Sequence, residues 1–203
     1  MIVAIVLSAG LSTRFPGNKL LYRWWDKPVI QHTIENIIGS SVDKVVVVTG
    51  YMREEIEKIA KKYSPRVKTT YNPEYRLGMS TSVKHGVRYA IKEYGEAIEA
   101  LVFVPGDCAW IPPVIYDLVV QEFRESKKPV VVASYMGRRG HPILFDSSVI
   151  PDILSISEET RGLKVVVKKY WWDTRVLETN YPGVILDLDT YNDLNRVKYL
   201  IKK

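Results

Sequence analysis

Short apolar runs alternate with amphipathic segments along the first two thirds of the chain, and this alternation limits the fold more than any other feature. Five runs have the composition of buried strands: residues 2–7, 45–49, 67–71, 100–104 and 129–134. Four other segments carry apolar residues at helical spacing: residues 28–38, 53–63, 79–94 and 112–123. Strands that alternate with helices are typical of βα units. The sequence therefore predicts an α/β fold with a mostly parallel central sheet.

The pattern changes after residue 134. Residues 136–140 predict a turn and residues 141–145 a returning strand, so a hairpin is expected there. Residues 165–170 fit both a helix and a strand, and Gly162 before them favours the helix. Residues 175–178 and 184–188 predict short strands, and Thr190 is expected to cap a closing helix over residues 191–201. No repeat or linker is visible, so we expect one domain over residues 1–203 with a hairpin and helix excursion near its C-terminus.

Composition excludes several classes of protein. Hydrophobic residues make up 46% and charged residues 26%, which is typical of an ordered globular chain. The single cysteine, Cys108, excludes a disulfide framework. No apolar run approaches ~20 residues and no basic leader opens the chain, so we expect a cytoplasmic protein without a membrane partner. The balance of 29 basic to 23 acidic residues favours anionic ligands, phosphates included, without indicating nucleic acid.

Residues 7–19, called the first loop below, follow the first predicted strand and combine small residues with two cations. Small residues let the backbone approach a ligand, and successive amides can bind phosphate oxygens. Arg14 and Lys19 add charge that would neutralise a polyphosphate. The two common nucleotide-binding loops do not match, since Leu20 follows Lys19. The alternative is a flexible basic loop without a ligand.

Three carboxylates follow predicted strands. Asp107 comes soon after the strand over residues 100–104, at the edge of the sheet where α/β proteins bind ligands. Asp187 and Asp189 are two residues apart in and just after a predicted strand, so both side chains are expected on one side. Carboxylates beside phosphates commonly bind Mg²⁺. Alternatively, Asp107 forms a turn and Asp189 belongs to the cap of the last helix.

Two further segments carry polar residues at predicted strand ends. Residues 72–82 lead into a helix, where one hydroxyl suffices for capping, so Gly78 and either Ser80 or Ser82 are left for a ligand. Arg138 and Arg139 form a basic turn, which a solvated hairpin tip explains equally well.

Other conspicuous residues have simpler explanations. The pairs Trp24–Trp25 and Trp171–Trp172 could stack on a planar ligand, but such pairs more often form core or interface. Cys108 follows Asp107, which disfavours a thiolate, so we interpret it as a small buried residue.

Six motifs occur together in one order. They are residues 7–15 with Lys19, residues 48–51, residues 72–83, Gly106-Asp107, residues 140–144 and residues 185–190. These motifs span nearly the whole chain. In their residues and their order the protein resembles the molybdenum cofactor cytidylyltransferases. The resemblance implies a three-layer, Rossmann-like fold of the glycosyltransferase-A type. It also implies transfer of CMP from CTP to the terminal phosphate of molybdenum-loaded molybdopterin, with Mg²⁺ as cofactor and release of pyrophosphate.

The resemblance also assigns roles to residues. Arg14, Lys19 and Asp107 would be catalytic, and Asp107 with Asp189 or Asp187 would bind the metal. The expected nucleotide-binding residues are Leu7, Ser8, Ala9, Gly10, Ser12, Arg14, Lys19, Thr49, Asn72, Gly78, Met79 and Ser82. Our own addition places Arg138, Arg139 and His141 at the acceptor, because they lie in or beside the Gly140-His-Pro142 motif.

The resemblance leaves alternatives open. Ala9 stands where guanylyl-transferring relatives usually carry glycine, which favours CTP over GTP. Pro16, Ala109 and Tyr191 depart from the family pattern and indicate a divergent member with room for another acceptor. A nucleotidyltransferase that acts on a sugar phosphate or an alcohol phosphate is a separate alternative on the same scaffold. A non-catalytic molybdenum cofactor chaperone and a nonspecific RNA-binding protein are further alternatives. A molybdoenzyme apoprotein would be the partner that receives the product.

Overall fold

The computed structural model describes residues 1–160 and 162–201, and its centre is a seven-stranded sheet. The strands of that sheet are β1 (Ile2–Ser8), β4 (Lys44–Thr49), β5 (Val67–Tyr71), β6 (Ala100–Pro105), β7 (Val130–Tyr135), β8 (Arg138–Asp146) and β9 (Thr174–Glu178). A separate two-residue antiparallel pair consists of β2 (Arg23–Trp24) and β3 (Lys27–Pro28). The order in the sheet is β5-β4-β1-β6-β8-β7-β9. The predicted strands up to residue 134 and the strand over residues 175–178 are thus present.

Strand β8 lies inside the sheet. It is antiparallel to both neighbours, β6 and β7, whereas the other six strands run in one direction. The turn from β7 to β8 has positive φ at Met136 (49°) and Gly137 (73°), as a tight hairpin with right-handed twist requires. The predicted hairpin therefore exists, but it is inserted into the sheet and is not an excursion from it. Its reversed direction places the first residues of β8 beside the carboxyl end of β6.

Helices cover both faces of the sheet. They are α1 (Val29–Ile38), α2 (Arg53–Ala60), α3 (Met79–Tyr94), α4 (Pro113–Ser126), α5 (Ile150–Leu154), α6 (Leu163–Lys169) and α7 (Asp193–Ile201). Helices α1, α2 and α4 pack on one face through a single buried apolar cluster. Helices α3, α5 and α6 pack on the opposite face through a second cluster. The predicted three-layer, Rossmann-like α/β fold is confirmed.

The prediction of a strand over residues 184–188 is wrong. That segment begins as a short 3-10 helix, Pro182–Ile185, and continues as irregular chain. Its alternating apolar residues, Leu186 and Leu188, are buried in a third cluster between α7 and the first loop. The Trp110 indole donates a hydrogen bond to the Leu186 carbonyl at 2.9 Å, so a side chain takes the place of a strand neighbour.

Three smaller differences concern helices. Helix α2 ends at Ala60 and is followed by a 3-10 turn to Tyr63, α7 begins two residues later than predicted, and α5 was missed. The prediction that Thr190 caps α7 is wrong: the Thr190 amide and hydroxyl both donate to the Asp193 carboxylate, at 2.7 and 2.9 Å, and the helix begins only at Asp193. In the described part of the chain, no helix is long and apolar enough to cross a membrane.

Candidate active site

Two adjoining pockets lie at the carboxyl edge of the parallel strands. The smaller has a volume of about 340 Å³, and the first loop and the start of α3 line it. The larger has a volume of about 960 Å³ and extends across β8 to α6. The walls that they share contain Leu7, Lys19, Met79, Pro105 and Asp107. A ligand in one pocket can therefore contact a ligand in the other beside Lys19 and Asp107.

The junction of the pockets is a cluster of charged side chains. The Lys19 ammonium lies 2.7 Å from Asp107 Oδ2 and 3.4 Å from Asp189 Oδ1. Arg14 reaches the same Asp189 oxygen at 3.1 Å. Burial acts to lower the pKa of Lys19, but the charges and hydrogen bonds of Asp107 and Asp189 outweigh it, so this pKa is raised and the lysine stays cationic. The first loop thus supplies two cations to carboxylates from distant parts of the chain.

Asp187 lies in the wall of the larger pocket together with Asp107 and Asp189. Loss of solvation and then the negative charges of Asp107 and Asp189 raise the pKa of the Asp187 carboxyl. The three side chains share a pocket although no strand holds Asp187 and Asp189 on one side. Irregular chain after the 3-10 helix brings Asp187 and Asp189 to the same pocket. Between them Leu188 is buried, and its amide donates to Asp107 Oδ2 at 3.4 Å.

The carboxylates fit a divalent cation only in combination with a ligand. In residues 1–160 and 162–201, no group of three or more His, Cys, Asp or Glu side chains is arranged to hold a metal ion by itself. Asp107 and Asp189 nevertheless converge on one cation, the Lys19 ammonium. Mg²⁺ commonly binds through one or two carboxylates plus substrate phosphates and water. This donor set matches that pattern if a polyphosphate supplies the remaining oxygens.

The smaller pocket is bounded by two segments of unusual backbone. Ser12 in the first loop has a φ of 54°, and the Lys19 amide donates to the Ser12 hydroxyl at 3.4 Å. Gly78 precedes α3 with a φ of 116°, a conformation that favours glycine. No hydroxyl caps α3; the Ser80 amide donates to the carboxylate of Glu158 instead. The loop before α6 therefore holds the helix end that lines the pocket.

The larger pocket carries the basic residues that start β8. Arg138 and Arg139 are exposed, and both line the pocket with Gly140 and His141. Burial lowers the pKa of His141 to about 4, so its imidazole is neutral at physiological pH. Its Nδ1 atom is buried and has no hydrogen-bond partner within the described residues.

Most residues predicted for the site line one of the two pockets. Those in the smaller pocket are Leu7, Ala9, Gly10, Ser12, Lys19, Gly78, Met79, Ser82 and Asp107. The larger pocket adds Arg14, Arg138, Arg139, His141, Asp187 and Asp189. Ser8, Thr49 and Asn72 do not line either pocket. Their side chains are buried; Thr49 bonds to Glu57 and Asn72 to the hydroxyls of Thr81 and Ser82, so Asn72 supports the start of α3 from behind.

Sequence reasoning missed charged residues of the larger pocket, namely Glu158, Lys164 and Lys168, and it assigned Trp171 of the same wall to core or interface. Lys164 and Lys168 are four residues apart on α6 and therefore share a helix face, which periodicity could have revealed. No local sequence pattern could have indicated Glu158, because its contact to Ser80 joins distant parts of the chain.

Comparison with known proteins decides the family. The model of the MobA-like NTP transferase domain matches residues 4–175, which include the first loop, Asp107 and the start of β8. The chain belongs to this family. Membership makes the protein a nucleotidyltransferase, and nucleotidyltransferases of this family commonly use a divalent metal.

Two curated relatives are a molybdenum cofactor cytidylyltransferase and a probable molybdenum cofactor guanylyltransferase. The Escherichia coli molybdenum cofactor cytidylyltransferase is 24% identical over 196 residues, which cover 96% of this chain and 94% of that protein. A probable molybdenum cofactor guanylyltransferase from Thermococcus sibiricus is 30% identical over 141 residues, 66% of this chain. That alignment covers 62% of the Thermococcus protein, so this chain spans less than two thirds of it.

A solved structure supports the fold. A crystal structure of a Mycobacterium tuberculosis protein in complex with manganese superimposes with a TM-score of 0.75 and covers 97% of both chains. The identity is 19%, so the match shows that the two chains share this fold.

Proposed function

We propose that the protein transfers CMP from CTP to the terminal phosphate of molybdenum-loaded molybdopterin, with Mg²⁺ as cofactor. The observation that carries the proposal is the meeting of two pockets at the Lys19–Asp107–Asp189 cluster. The smaller pocket would bind the nucleotide and the larger one the acceptor. In this proposal residues 1–203 act as a single domain in the cytoplasm, and a molybdoenzyme apoprotein receives the product.

The chemistry requires positioning and charge neutralisation. An oxygen of the acceptor phosphate attacks the α-phosphorus of CTP, a new P–O–P linkage forms, and the bond to the β-phosphate breaks to release pyrophosphate. No nucleophilic side chain is needed, because the attacking atom belongs to the substrate. Mg²⁺, held by Asp107 with Asp189 or Asp187, would supply Lewis-acid stabilisation of the phosphate charges.

Cationic side chains of the protein would neutralise further phosphate charge. Lys19 and Arg14 lie beside the carboxylate cluster and can pair with the leaving pyrophosphate. Backbone amides of the first loop, from Leu7 to Ser12, would bind phosphate oxygens, and the start of α3 would contact the base. Arg138 and Arg139 in the larger pocket would bind the acceptor phosphate.

Pyrophosphate release tests the proposal. Purified protein is incubated with Mg²⁺, molybdenum-loaded molybdopterin and each of the four NTPs in turn. We expect turnover with CTP and loss of turnover in Asp107→Ala. The control Glu54→Ala, which removes an exposed carboxylate of α2 that lines neither pocket, should keep full activity. Absence of turnover with every NTP, in protein that still binds CTP, would exclude this acceptor and favour a sugar or alcohol phosphate. Binding of the acceptor without any release would favour the chaperone alternative.

Guanylyl transfer to the same acceptor is a second candidate, and the Thermococcus relative favours it. Against it stands Ala9, which lines the smaller pocket and is almost fully buried. Turnover with GTP and not with CTP in the same assay would establish this second function.

A further inference from the structure

A single tryptophan side chain forms part of the wall of the larger pocket. Trp171 opens a short 3-10 helix, Trp171–Asp173, directly after α6. Its indole lines the pocket and is 49% exposed. The guanidinium carbon of Arg139 lies 3.8 Å from the centre of the ring, so the arginine covers one face of the indole. The next residue, Trp172, is 90% exposed and is not part of the wall.

Four cationic side chains line the same pocket as this indole. Lys164 and Lys168 on α6 line the same pocket and are exposed, as are Arg138 and Arg139 on β8. Among residues 1–160 and 162–201, none of the four forms an ion pair with a carboxylate. Lys169, which does not line the pocket, does form one, with Asp152 at 2.6 Å. The pocket wall therefore combines an aromatic face with four cationic side chains that form no direct ion pair with the described carboxylates.

We propose that Trp171 and Arg139 form a stacking subsite for a planar heteroaromatic ring of the acceptor, with Lys164 and Lys168 binding its anionic groups. The inference rests on the proposed function, because it assigns the larger pocket to the acceptor. Indole and guanidinium are both planar and both stack on heteroaromatic rings. A phosphate alone would need the arginines and lysines but would gain nothing from an indole.

A structural role for Trp171 explains the observations less well. A core tryptophan is buried, whereas about half of this side chain is accessible. A surface contact to a partner protein would favour Trp172, which projects further. A half-exposed indole in contact with Arg139, in a pocket that Lys164 and Lys168 also line, is explained when a charged ring binds there.

Fluorescence titration with a pterin carboxylic acid tests the subsite. The probe combines a planar fluorescent ring with one negative charge, and stacking on an indole quenches its emission. Four proteins are compared: wild type, Trp171→Ala, Trp171→Phe and the matched control Trp172→Ala. We expect binding about tenfold weaker in Trp171→Ala, largely restored in Trp171→Phe and unchanged in Trp172→Ala. Affinity for CTP, measured separately, stays at the wild-type value in all four because Trp171 does not line the smaller pocket.

Glycerol phosphate is the second probe, since it carries a phosphate and no ring. It is expected to bind with the same affinity to wild type and Trp171→Ala. Three results would each overturn the inference. The pterin acid could bind wild type and Trp171→Ala with equal affinity, it could lose as much affinity in Trp172→Ala as in Trp171→Ala, or it could fail to bind the wild type.

The two proposals fail separately. If wild type releases pyrophosphate with CTP and molybdenum-loaded molybdopterin, and Trp171→Ala has the same KM for that acceptor, the subsite is overturned and the proposed function stands. If wild type releases none, yet the pterin acid binds in a Trp171-dependent manner, the subsite stands and the proposed reaction is overturned.

Discussion

The Lys19 ammonium lies 2.7 Å from Asp107, and this ion pair stands where the two pockets meet. Its lysine comes from the first loop and its carboxylate from the chain after β6. Asp189, from the irregular segment before α7, approaches the same ammonium at 3.4 Å. Three segments far apart in sequence are therefore joined through one cation. In the proposed reaction, CMP would pass from CTP to the acceptor at this point.

Removal of the Lys19 charge is expected to impair the reaction more than removal of the Arg14 charge. In Lys19→Met, kcat/KM for CTP should fall at least about a hundredfold, since charge stabilisation in a phosphoryl transfer site supplies several kcal/mol. In Arg14→Met the loss should be smaller, because the Arg14 side chain is 68% exposed and solvent screens its charge. Steady-state pyrophosphate release measures both.

The control for these variants is Lys58→Met on α2, an exposed lysine that lines neither pocket. It should retain wild-type kinetics. Equal losses in Lys19→Met and Arg14→Met would contradict a special role for the lysine at the junction.

Substitution of Gly140 is expected to destabilise the fold. A Cβ atom at this position would lie 1.8 Å from the Val184 carbonyl oxygen, so the 3-10 helix Pro182–Ile185 must move. We expect Gly140→Ala to cost about 1–3 kcal/mol, as overpacked sites do, and to lower Tm by several degrees. Thermal unfolding followed by circular dichroism measures the change. Gly10→Ala is the control, because an added Cβ there meets nothing within 4 Å, and a similar fall in its Tm would contradict the steric explanation.

Local sequence patterns predicted most of the elements that position the site. Buried strands such as β1 and β6 are continuous apolar runs, and α3 has strong helical periodicity, so both kinds of element are encoded within a few residues. The location of the first loop and Asp107 at one edge then follows from the direction of parallel strands. These are the parts of the site that needed no knowledge of long-range contacts.

The remaining features depend on contacts between distant residues. The insertion of β8 between β6 and β7 is decided by strand pairing, which the periodicity of β8 does not specify. Residues 184–188 alternate like a strand, but Leu186 and Leu188 are buried against the first loop and α7. Glu158 reaches α3 only in the folded chain. Such features cannot be inferred from the residues that neighbour them in sequence.

Loss of the Glu158 carboxylate is expected to weaken nucleotide binding. Its oxygen accepts a hydrogen bond from the Ser80 amide at the start of α3, which lines the smaller pocket. Removing a helix cap costs about 0.5–2 kcal/mol. Part of that cost should appear as a several-fold higher KM for CTP in Glu158→Ala. Glu158→Gln keeps an acceptor oxygen and should restore most of the affinity.

The matched control is Glu159→Ala, which removes an exposed carboxylate beside Glu158 without touching the cap. An increase in KM that is as large in Glu159→Ala as in Glu158→Ala would show that general charge, and not the cap, is responsible.

His141 is expected to make stability depend on pH in acid. Burial lowers its pKa from 6.5 to about 4 in the folded protein. Above pH 6.5 the imidazole is neutral in both the folded and the unfolded state, so its contribution is fully present. As pH falls from 6.5 towards 4, only the unfolded state gains the proton, and the free energy of unfolding decreases by about 1.4 kcal/mol per pH unit.

Urea unfolding at about pH 7.5 and about pH 5 measures how far the free energy of unfolding decreases in acid. The decrease should be about 2 kcal/mol larger in the wild type than in His141→Asn. The carboxylates titrate in both proteins, so the difference between them isolates the imidazole. The same pH dependence in both proteins would mean that the folded His141 accepts a proton as readily as the unfolded one. That result would contradict a neutral imidazole in the wall of the larger pocket.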